Sequence, residues 1–266
     1  MKMVDGGSMK LDEIILGDCL TVMEKMEDCC IDLTVTSPPY DNLREYLGHS
    51  EFDFQGIAKQ LYRITKIGGV VVWIVADATI NGSETGTSFR QALYFMEVGF
   101  NLHDTMIYIA KGTGAKGSIF SYWQGFEYMF VFSKGKPKTI NLIKDVKNAT
   151  VGLCSRGGRH RKDGSVEKNH KTLEFGIRTN VWAYNVGFMD QSDSTGHPAP
   201  FPEKLAAEHI ISWSNPGDLI LDPFAGSGTT CKMAKLHNRH FIGIEINPEY
   251  VDICNKRLSQ EVFDFG

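Results

Sequence analysis

No apolar run in this 266-residue sequence approaches the roughly 20 residues that a membrane-spanning helix needs. The N-terminus also lacks the apolar stretch of a secretory signal; Asp5-Gly6-Gly7-Ser8-Met9 reads as part of a flexible leader over residues 1–10, with Met9 as an alternative start. Cysteine is scarce, and Cys19, Cys29, Cys30, Cys154, Cys231 and Cys254 form no C-x-x-C pair, so neither a zinc site nor another metal is expected. Several of them lie in apolar runs, where a reduced thiol behaves as a small hydrophobe, and a reducing cytoplasm is the compartment expected. A disordered chain is excluded by composition: 42% hydrophobic residues suffice for a core, and 23% charged residues is near the globular average. The length fits one domain, or a domain with an insert.

Positive charge is in short supply overall. The net charge of −4 argues against a general nucleic-acid binder, but the distribution is uneven. Ser133 to Asn180 holds 12 Lys and Arg against 4 Asp and Glu, a local net of +8, which leaves −12 for the rest. A basic block in an acidic protein is the electrostatic footprint of a polyanion site. A solvated loop rich in lysine would give the same count, so charge leaves both readings open.

Periodicity supplies the framework. Strands are expected at Ile14 to Leu16, Ile31 to Val35, Val70 to Val75, Leu102 to Ile109, Tyr128 to Phe132, Asp218 to Leu221 and Phe241 to Ile244. The run Val70 to Val75 is apolar throughout, as in a parallel strand buried on both faces. Helical spacing marks Leu20 to Met26, Phe54 to Ile67 (closed by Gly68-Gly69), Phe89 to Glu97, Pro202 to Trp213, a helix from Thr229, and Pro248 to Leu258. Alternating strands and helices predict an α/β fold with a mainly parallel sheet. The basic, Gly-rich segment 133–196 has little periodicity and reads as an insert outside that sheet, between a first part, 11–132, and a last part, 197–266.

Two strings carry chemistry. The first runs from Asp222 through Pro223, Phe224, Ala225, Gly226, Ser227 and Gly228 to Thr229 and Thr230, a strand end, a glycine turn and a helix start. Glycines admit a ligand close to the backbone, and the helix start offers free N–H groups. Glu245 ends the next strand about 20 residues on, where α/β nucleotide folds place an acid for ribose hydroxyls. Cys231 stands where a dinucleotide loop has its third glycine, and no P-loop lysine is present, so neither a dinucleotide nor a triphosphate fits. Asp222 at the strand tip suits the ammonium group of a ligand that joins adenosine to an amino acid. The second string is Ser37-Pro38-Pro39-Tyr40, just past a predicted strand. Two prolines fix the backbone and leave carbonyls that no local N–H claims. With the Ser37 hydroxyl they can accept from an amino group, and Tyr40 offers a ring for a base to stack on. Acceptors aimed at an exocyclic amine favour the cationic, tetrahedral nitrogen of a methyl transfer over its planar ground state. A lone glycine pair would fit a plain strand-to-helix turn, but the whole string from Asp222 to Thr230 does not; Ser37 to Tyr40, taken alone, also fits a surface turn.

Together they resemble the β class of bacterial DNA amino-methyltransferases. Ser37 to Tyr40 matches the catalytic motif of that family and Asp222 to Thr230 its cofactor loop. His197-Pro198-Ala199-Pro200-Phe201-Pro202-Glu203-Lys204-Leu205 matches the segment before the loop, and Ile246-Asn247-Pro248-Glu249-Tyr250 follows Glu245 as in the family. Asn180-Val181-Trp182 and Glu127-Tyr128 to Lys134 look like its linking segments, and Gly17-Asp18 like the early segment near the cofactor adenine. The catalytic turn precedes the cofactor loop, the circularly permuted order that sets this class apart. The resemblance implies a Rossmann-like fold that binds S-adenosyl-L-methionine through Asp18, His197, Pro198, Phe201, Asp222, Pro223, Phe224, Gly226, Ser227, Gly228, Thr229, Glu245, Ile246 and Asn247. It also implies that 133–196 is the target-recognition insert, with Arg156, Arg159, Arg161 and Lys162 as candidate contacts to double-stranded DNA. Asp77, after Val70 to Val75, could face the target amine or simply cap a helix.

In that family Ser-Pro-Pro-Tyr usually accompanies cytosine N4, while Asp or Asn in place of Ser37 usually accompanies adenine N6. Cytosine C5 chemistry needs a nucleophilic Cys after a Pro, and the sequence has no Pro-Cys pair. A catalytically silent DNA-binding relative is opposed by the intact Ser37 to Tyr40. An RNA or protein methyltransferase is opposed by the motif order. The expected activity is direct methyl transfer to the amine of a flipped base, cytosine N4 before adenine N6. Family members can work beside a cognate restriction endonuclease and can form dimers, so both are candidate partners.

Overall fold

The computed structural model describes residues 9–39, 52–111, 122, 124–153, 159–160, 162–163, 165–167, 171–185 and 202–259. Its elements are β1 (Glu13–Leu16), α1 (Cys19–Glu24), β2 (Ile31–Thr36), α2 (Phe54–Ile64), β3 (Thr65–Val75), β4 (Thr79–Ile80), β5 (Ser83–Glu84), α3 (Thr87–Val98), β6 (Asn101–Lys111) and β7 (Phe126–Ser133). They continue with β8 (Lys144–Lys147), β9 (Arg159–His160), β10 (Val166–Glu167), β11 (Phe175–Ile177), β12 (Val181–Asn185), α4 (Glu203–Trp213), β13 (Leu219–Asp222), α5 (Thr229–Leu236), β14 (His240–Glu245) and α6 (Pro248–Ser259). Among the described residues no helix is long and apolar enough to cross a membrane.

Eight strands form one sheet in the order β1-β14-β13-β2-β3-β7-β6-β12. All neighbours are parallel except β7, which is antiparallel to both β3 and β6. The fold is thus the Rossmann-like, mainly parallel α/β architecture that the sequence implies. From β13 the chain passes through α5 to β14 on one side; from β2 it passes through α2 to β3 on the other. The connections therefore diverge between β13 and β2, and the crevice beyond their carboxyl ends is where open α/β sheets bind ligands.

The strands beside this switch point read as they do because both faces are covered. Every residue from Val70 to Val75 is buried, as is all of β13. Trp73, Phe95 and Phe132 form the heart of the core, with ring centroids 5.1 Å apart for Trp73–Phe95 and 4.6 Å for Phe95–Phe132. The Trp73 indole donates to Gln91 Oε1 at 2.8 Å, which satisfies its buried N–H.

Two boundaries differ from the sequence reading. The helix expected to reach Ile67 stops at Ile64, and β3 starts at Thr65. Thr65 is extended, with its hydroxyl bonded to Leu61 O, and Lys134 Nζ gathers the carbonyls of Tyr62 and Thr65 at 2.7 and 2.9 Å. The cation at the helix C-terminus closes α2 a turn early. The expected insert 133–196 is also too wide. Ser133 completes β7, and Val181–Asn185 forms β12, which pairs parallel with β6 in the main sheet. Trp182 and Tyr184 are buried there, so alternation within a five-residue strand outweighs the polar surroundings. The second compact unit spans Leu142–Thr179. Within it β8 pairs antiparallel with β11, β9 with β10, and the Arg178 guanidinium pairs with the Asp145 carboxylate. Val146, Leu153, Leu173, Phe175 and Ile177 are exposed. Units below about 40 residues rarely bury enough apolar surface for a core of their own.

Candidate active site

Asp222 ends β13 and is 1% exposed. Its Oδ1 accepts from the Thr36 hydroxyl at 2.7 Å and from Phe224 N at 3.1 Å. Burial pushes its carboxyl up to about 6; hydrogen bonds from Thr36 and Phe224 N and the nearby Thr230 hydroxyl oppose the rise, and Glu245 adds to it. Thr36 ends β2, so Ser37, Pro38 and Pro39 leave the sheet at the same crevice. Ser37 and Pro39 are half-buried and Pro38 is buried; Tyr40 lies outside the described residues.

The glycine loop is fastened from below. Gly226 and Gly228 have φ of 52° and 80°, the left-handed region that favours glycine. A side chain at Gly228 would also put its Cβ 3.0 Å from Cys254 Sγ. Glu245 Oε2 accepts from Gly226 N at 2.8 Å and its Oε1 from Asn247 N at 2.9 Å. The acid expected to meet a ribose thus first shapes the loop, and each carboxylate oxygen keeps a second lone pair for a ligand hydroxyl. Burial raises the Glu245 carboxyl while these amides lower it. The Cys254 thiol donates to Gly226 O at 2.9 Å. Arg257, buried on α6, donates to Ser227 O at 2.6 Å and to Glu203 Oε1 at 2.7 Å, and Lys232 shares that carboxylate. Thr229 and Thr230 begin α5 with its positive end at the loop.

The remaining expected residues fall in three groups. Pro223 is buried, and the half-buried Phe224 ring lies 6.2 Å from Trp73 and 5.7 Å from Phe52. Ile246 and Asn247 follow β14, and Asn247 Oδ1 accepts from Glu249 N at the start of α6. Asp18 is exposed and caps α1 through Thr21 N at 2.9 Å; Gly17 N bonds to Glu245 O, which brings this segment beside the end of β14. Asp77 holds the start of α3: Oδ1 accepts from Ser88 N at 3.0 Å and Oδ2 from the Ser88 hydroxyl at 2.5 Å. The capping alternative is the one its contacts describe. His197, Pro198, Phe201, Arg156 and Arg161 lie outside the described residues; Arg159 begins β9, and Lys162 is exposed in a turn.

Sequence reasoning gave no role to Thr36, Cys254 or Arg257, and it quoted Thr230 and Glu203 within matched strings without assigning them contacts. A signal existed for two of them: Cys254 and Arg257 stand three apart on α6, on the face turned to the loop. The hydroxyls carried none, because threonine in a strand is ordinary.

These residues fit S-adenosylmethionine. The groups that act on the buried Asp222 carboxylate are hydroxyls, an amide, and a second carboxylate, so a ligand ammonium would supply a cation there. Left-handed glycines and the N-terminus of α5 leave backbone amides for the rest of such a ligand. A switch-point crevice with this loop on one strand tip and a Ser-Pro-Pro turn on the other defines an S-adenosylmethionine-dependent methyltransferase. Residues 31–256 match the DNA methylase family, and the chain belongs to it: a DNA methyltransferase of the cytosine-N4 and adenine-N6 class. It is 57% identical over 247 residues to the orphan methyltransferase M.BamHII of Bacillus amyloliquefaciens, spanning 90% of this chain and 92% of that protein. To the type II methyltransferase M.BglII of Bacillus subtilis it is 28% identical over 94% of this chain and 70% of that one. Among solved structures, the cytosine-N4-specific PvuII DNA methyltransferase shares the fold with a TM-score of 0.70 at 22% identity, over 93% of this chain and 86% of that one. The M1.HpyAVI–SAM complex does so with a TM-score of 0.64, also at 22% identity, over 93% of this chain and 99% of that one.

Proposed function

We propose that the protein methylates the N4 amine of a cytosine flipped out of duplex DNA. The observation that carries this reading is the Ser37-Pro38-Pro39 turn at the tip of β2, one residue past the hydroxyl that bonds to Asp222. When bound, S-adenosylmethionine supplies an electrophilic methyl group on a sulfonium. Asp222 binds the ligand ammonium, Glu245 accepts from ribose hydroxyls, and Gly226 to Thr229 give backbone donors. His197, Pro198 and Phe201 line the cofactor pocket by the family pattern. Ser37 and the carbonyls of Pro38 and Pro39 accept from the target amine, which favours its cationic form. Tyr40 stacks on the base. A hydroxyl at position 37 adds no negative charge, whereas a carboxylate would; the choice of cytosine over adenine therefore rests on the family pattern for serine. Arg156, Arg159, Arg161 and Lys162 contact phosphates in a recognition unit. Because the 57% identical relative is described as an orphan, we favour action without a restriction partner.

Adenine N6 is the second reading. It is favoured by a 28% identical relative over 92% of this chain, described as the DNA adenine methyltransferase YhdJ of Escherichia coli. The purified enzyme, given mixed-sequence duplex DNA and methyl-labelled cofactor, should place label in N4-methylcytosine after digestion to nucleosides and mass spectrometry. Label in N6-methyladenine would overturn the choice of base.

A further inference from the structure

The two halves of the site are stitched together by side chains where the backbone ladder has ended. The last paired residues between β13 and β2 are Leu221 and Thr34. Beyond them the Thr36 hydroxyl donates to Asp222 Oδ1 at 2.7 Å, and the Thr230 hydroxyl donates to Val35 O at 3.1 Å. Thr36, Thr230 and Asp222 are each 1% exposed or less, so water does not compete for these bonds. One bond therefore joins the residue before Ser37 to the carboxylate at the cofactor loop, and the other joins the first turn of α5 to the same strand end.

We infer that Thr36 is a positioning residue: through its hydrogen bond to Asp222 it orients that carboxylate for the cofactor's ammonium and sets the distance between the cofactor loop and the Ser37–Pro39 turn. The inference rests on assigning the loop to the cofactor and is independent of the target base. Its physical basis is that a buried carboxylate with one donor removed is both reoriented and harder to ionise. The titratable groups that interact with Asp222 are Glu245 on β14, Cys231 on α5 and Cys254 on α6. Burial pushes Cys254 up to about 12 and Cys231 well above its usual range, so both thiols stay neutral. The groups that shift Glu245 are its burial and the amides of Asn247, Gly226 and Ile246, and Thr36 is not among them.

The test measures affinity for S-adenosylmethionine by calorimetry across pH, without DNA, for the full chain and its Thr36→Val and Thr36→Ser variants. Wild-type affinity should fall as pH drops through about 6, where Asp222 takes up a proton. In Thr36→Val the fall should begin at higher pH, with a loss that approaches about tenfold for each unit of displacement at pH well below the old midpoint. Thr36→Ser keeps the hydroxyl and should keep the wild-type curve. In methylation assays at about pH 8, Thr36→Val should raise the KM for the cofactor, because the carboxylate has lost its orienting donor, and should also lose kcat by about tenfold or more, because the loop and the turn are no longer held at the same distance. Thr36→Ala, which adds no methyl beside the carboxylate, serves if the valine variant does not fold. An unshifted curve in the valine or alanine variant, or a serine variant displaced as far, overturns the proposal. Cofactor binding with the expected curves but no labelled DNA would instead refute the proposed function and leave the role of Thr36 standing.

Discussion

Asp222 and His209 are both buried, and burial moves them in opposite directions: the carboxyl up to about 6, the imidazole down to about 3. The sign matters for stability. An acid whose folded value is raised takes up its proton earlier in the fold, so without cofactor Asp222 makes the protein more stable as pH falls through 6. A base whose folded value is lowered does the reverse: between about 6.5 and 3 the unfolded chain binds a proton that the fold refuses, and stability is lost. Among the described residues His209 has no charge partner to soften this. Its Nε2 lies 3.2 Å from Met129 Sδ, its ring packs 4.7 Å from that of Trp182, and its Nδ1 has no hydrogen-bond partner among the described residues. On going from about pH 7 to about pH 5 the wild type should lose roughly 2 kcal/mol more than His209→Leu, whose apolar side chain does not titrate. Urea unfolding of both at the two pH values measures the difference; parallel curves would show that the imidazole is accommodated when charged.

At the scale of elements, α3 illustrates how a helix can be started from a distance. Its N-cap position is Gly86, which has no side chain to bond the first turn, and Asp77 reaches across from beyond β3 to Ser88 instead. Asp77→Ala should cost about 1 kcal/mol, as the loss of a cap does, and leave cofactor affinity unchanged. Denaturation and calorimetry together check this, and a folded variant with normal stability but no DNA methylation would return Asp77 to the target amine. The elements legible in the sequence were those whose signals are local. The unit β13–α5–β14 shows its strands, its glycines and its acid within one short stretch. Three things were not local. The end of α2 depends on Lys134, remote in sequence, and Gly68-Gly69 looked like a helix stop while lying within β3. The strand β12 lies just past the basic block, inside the stretch read as an insert, and its burial comes from Tyr184 bonding to Glu208 and Trp182 packing on His209 of α4. The ties that fasten the loop, from Arg257 and Thr36, join positions that nothing in a linear pattern connects.

For the whole molecule, charge separates what the fold does from what it meets. The main unit carries the sheet and the acidic excess, while most of the basic block falls within Leu142–Thr179. Replacing Arg156, Arg159, Arg161 and Lys162 by neutral residues should weaken DNA binding and flatten its salt dependence, by up to about 0.9 in the log–log slope for each phosphate contact removed. Cofactor affinity should not change. Fluorescence anisotropy over a salt series reads the slope, and a quadruple variant with the wild-type slope would make this cluster a solvated loop. The order of the strands has one more consequence, for synthesis on the ribosome. The central strand β2 is among the first made, yet its partner β13 follows at a separation of 186 residues between Thr36 and Asp222. Until then the nascent chain carries β2, in which Ile31, Leu33 and Val35 alternate with polar residues, with one bare edge, an arrangement open to pairing with a neighbouring polypeptide. A chain that stalls before β13 would have the residues for amine recognition on a strand that lacks one neighbour, so premature termination before Leu219 should yield aggregate rather than a weak enzyme.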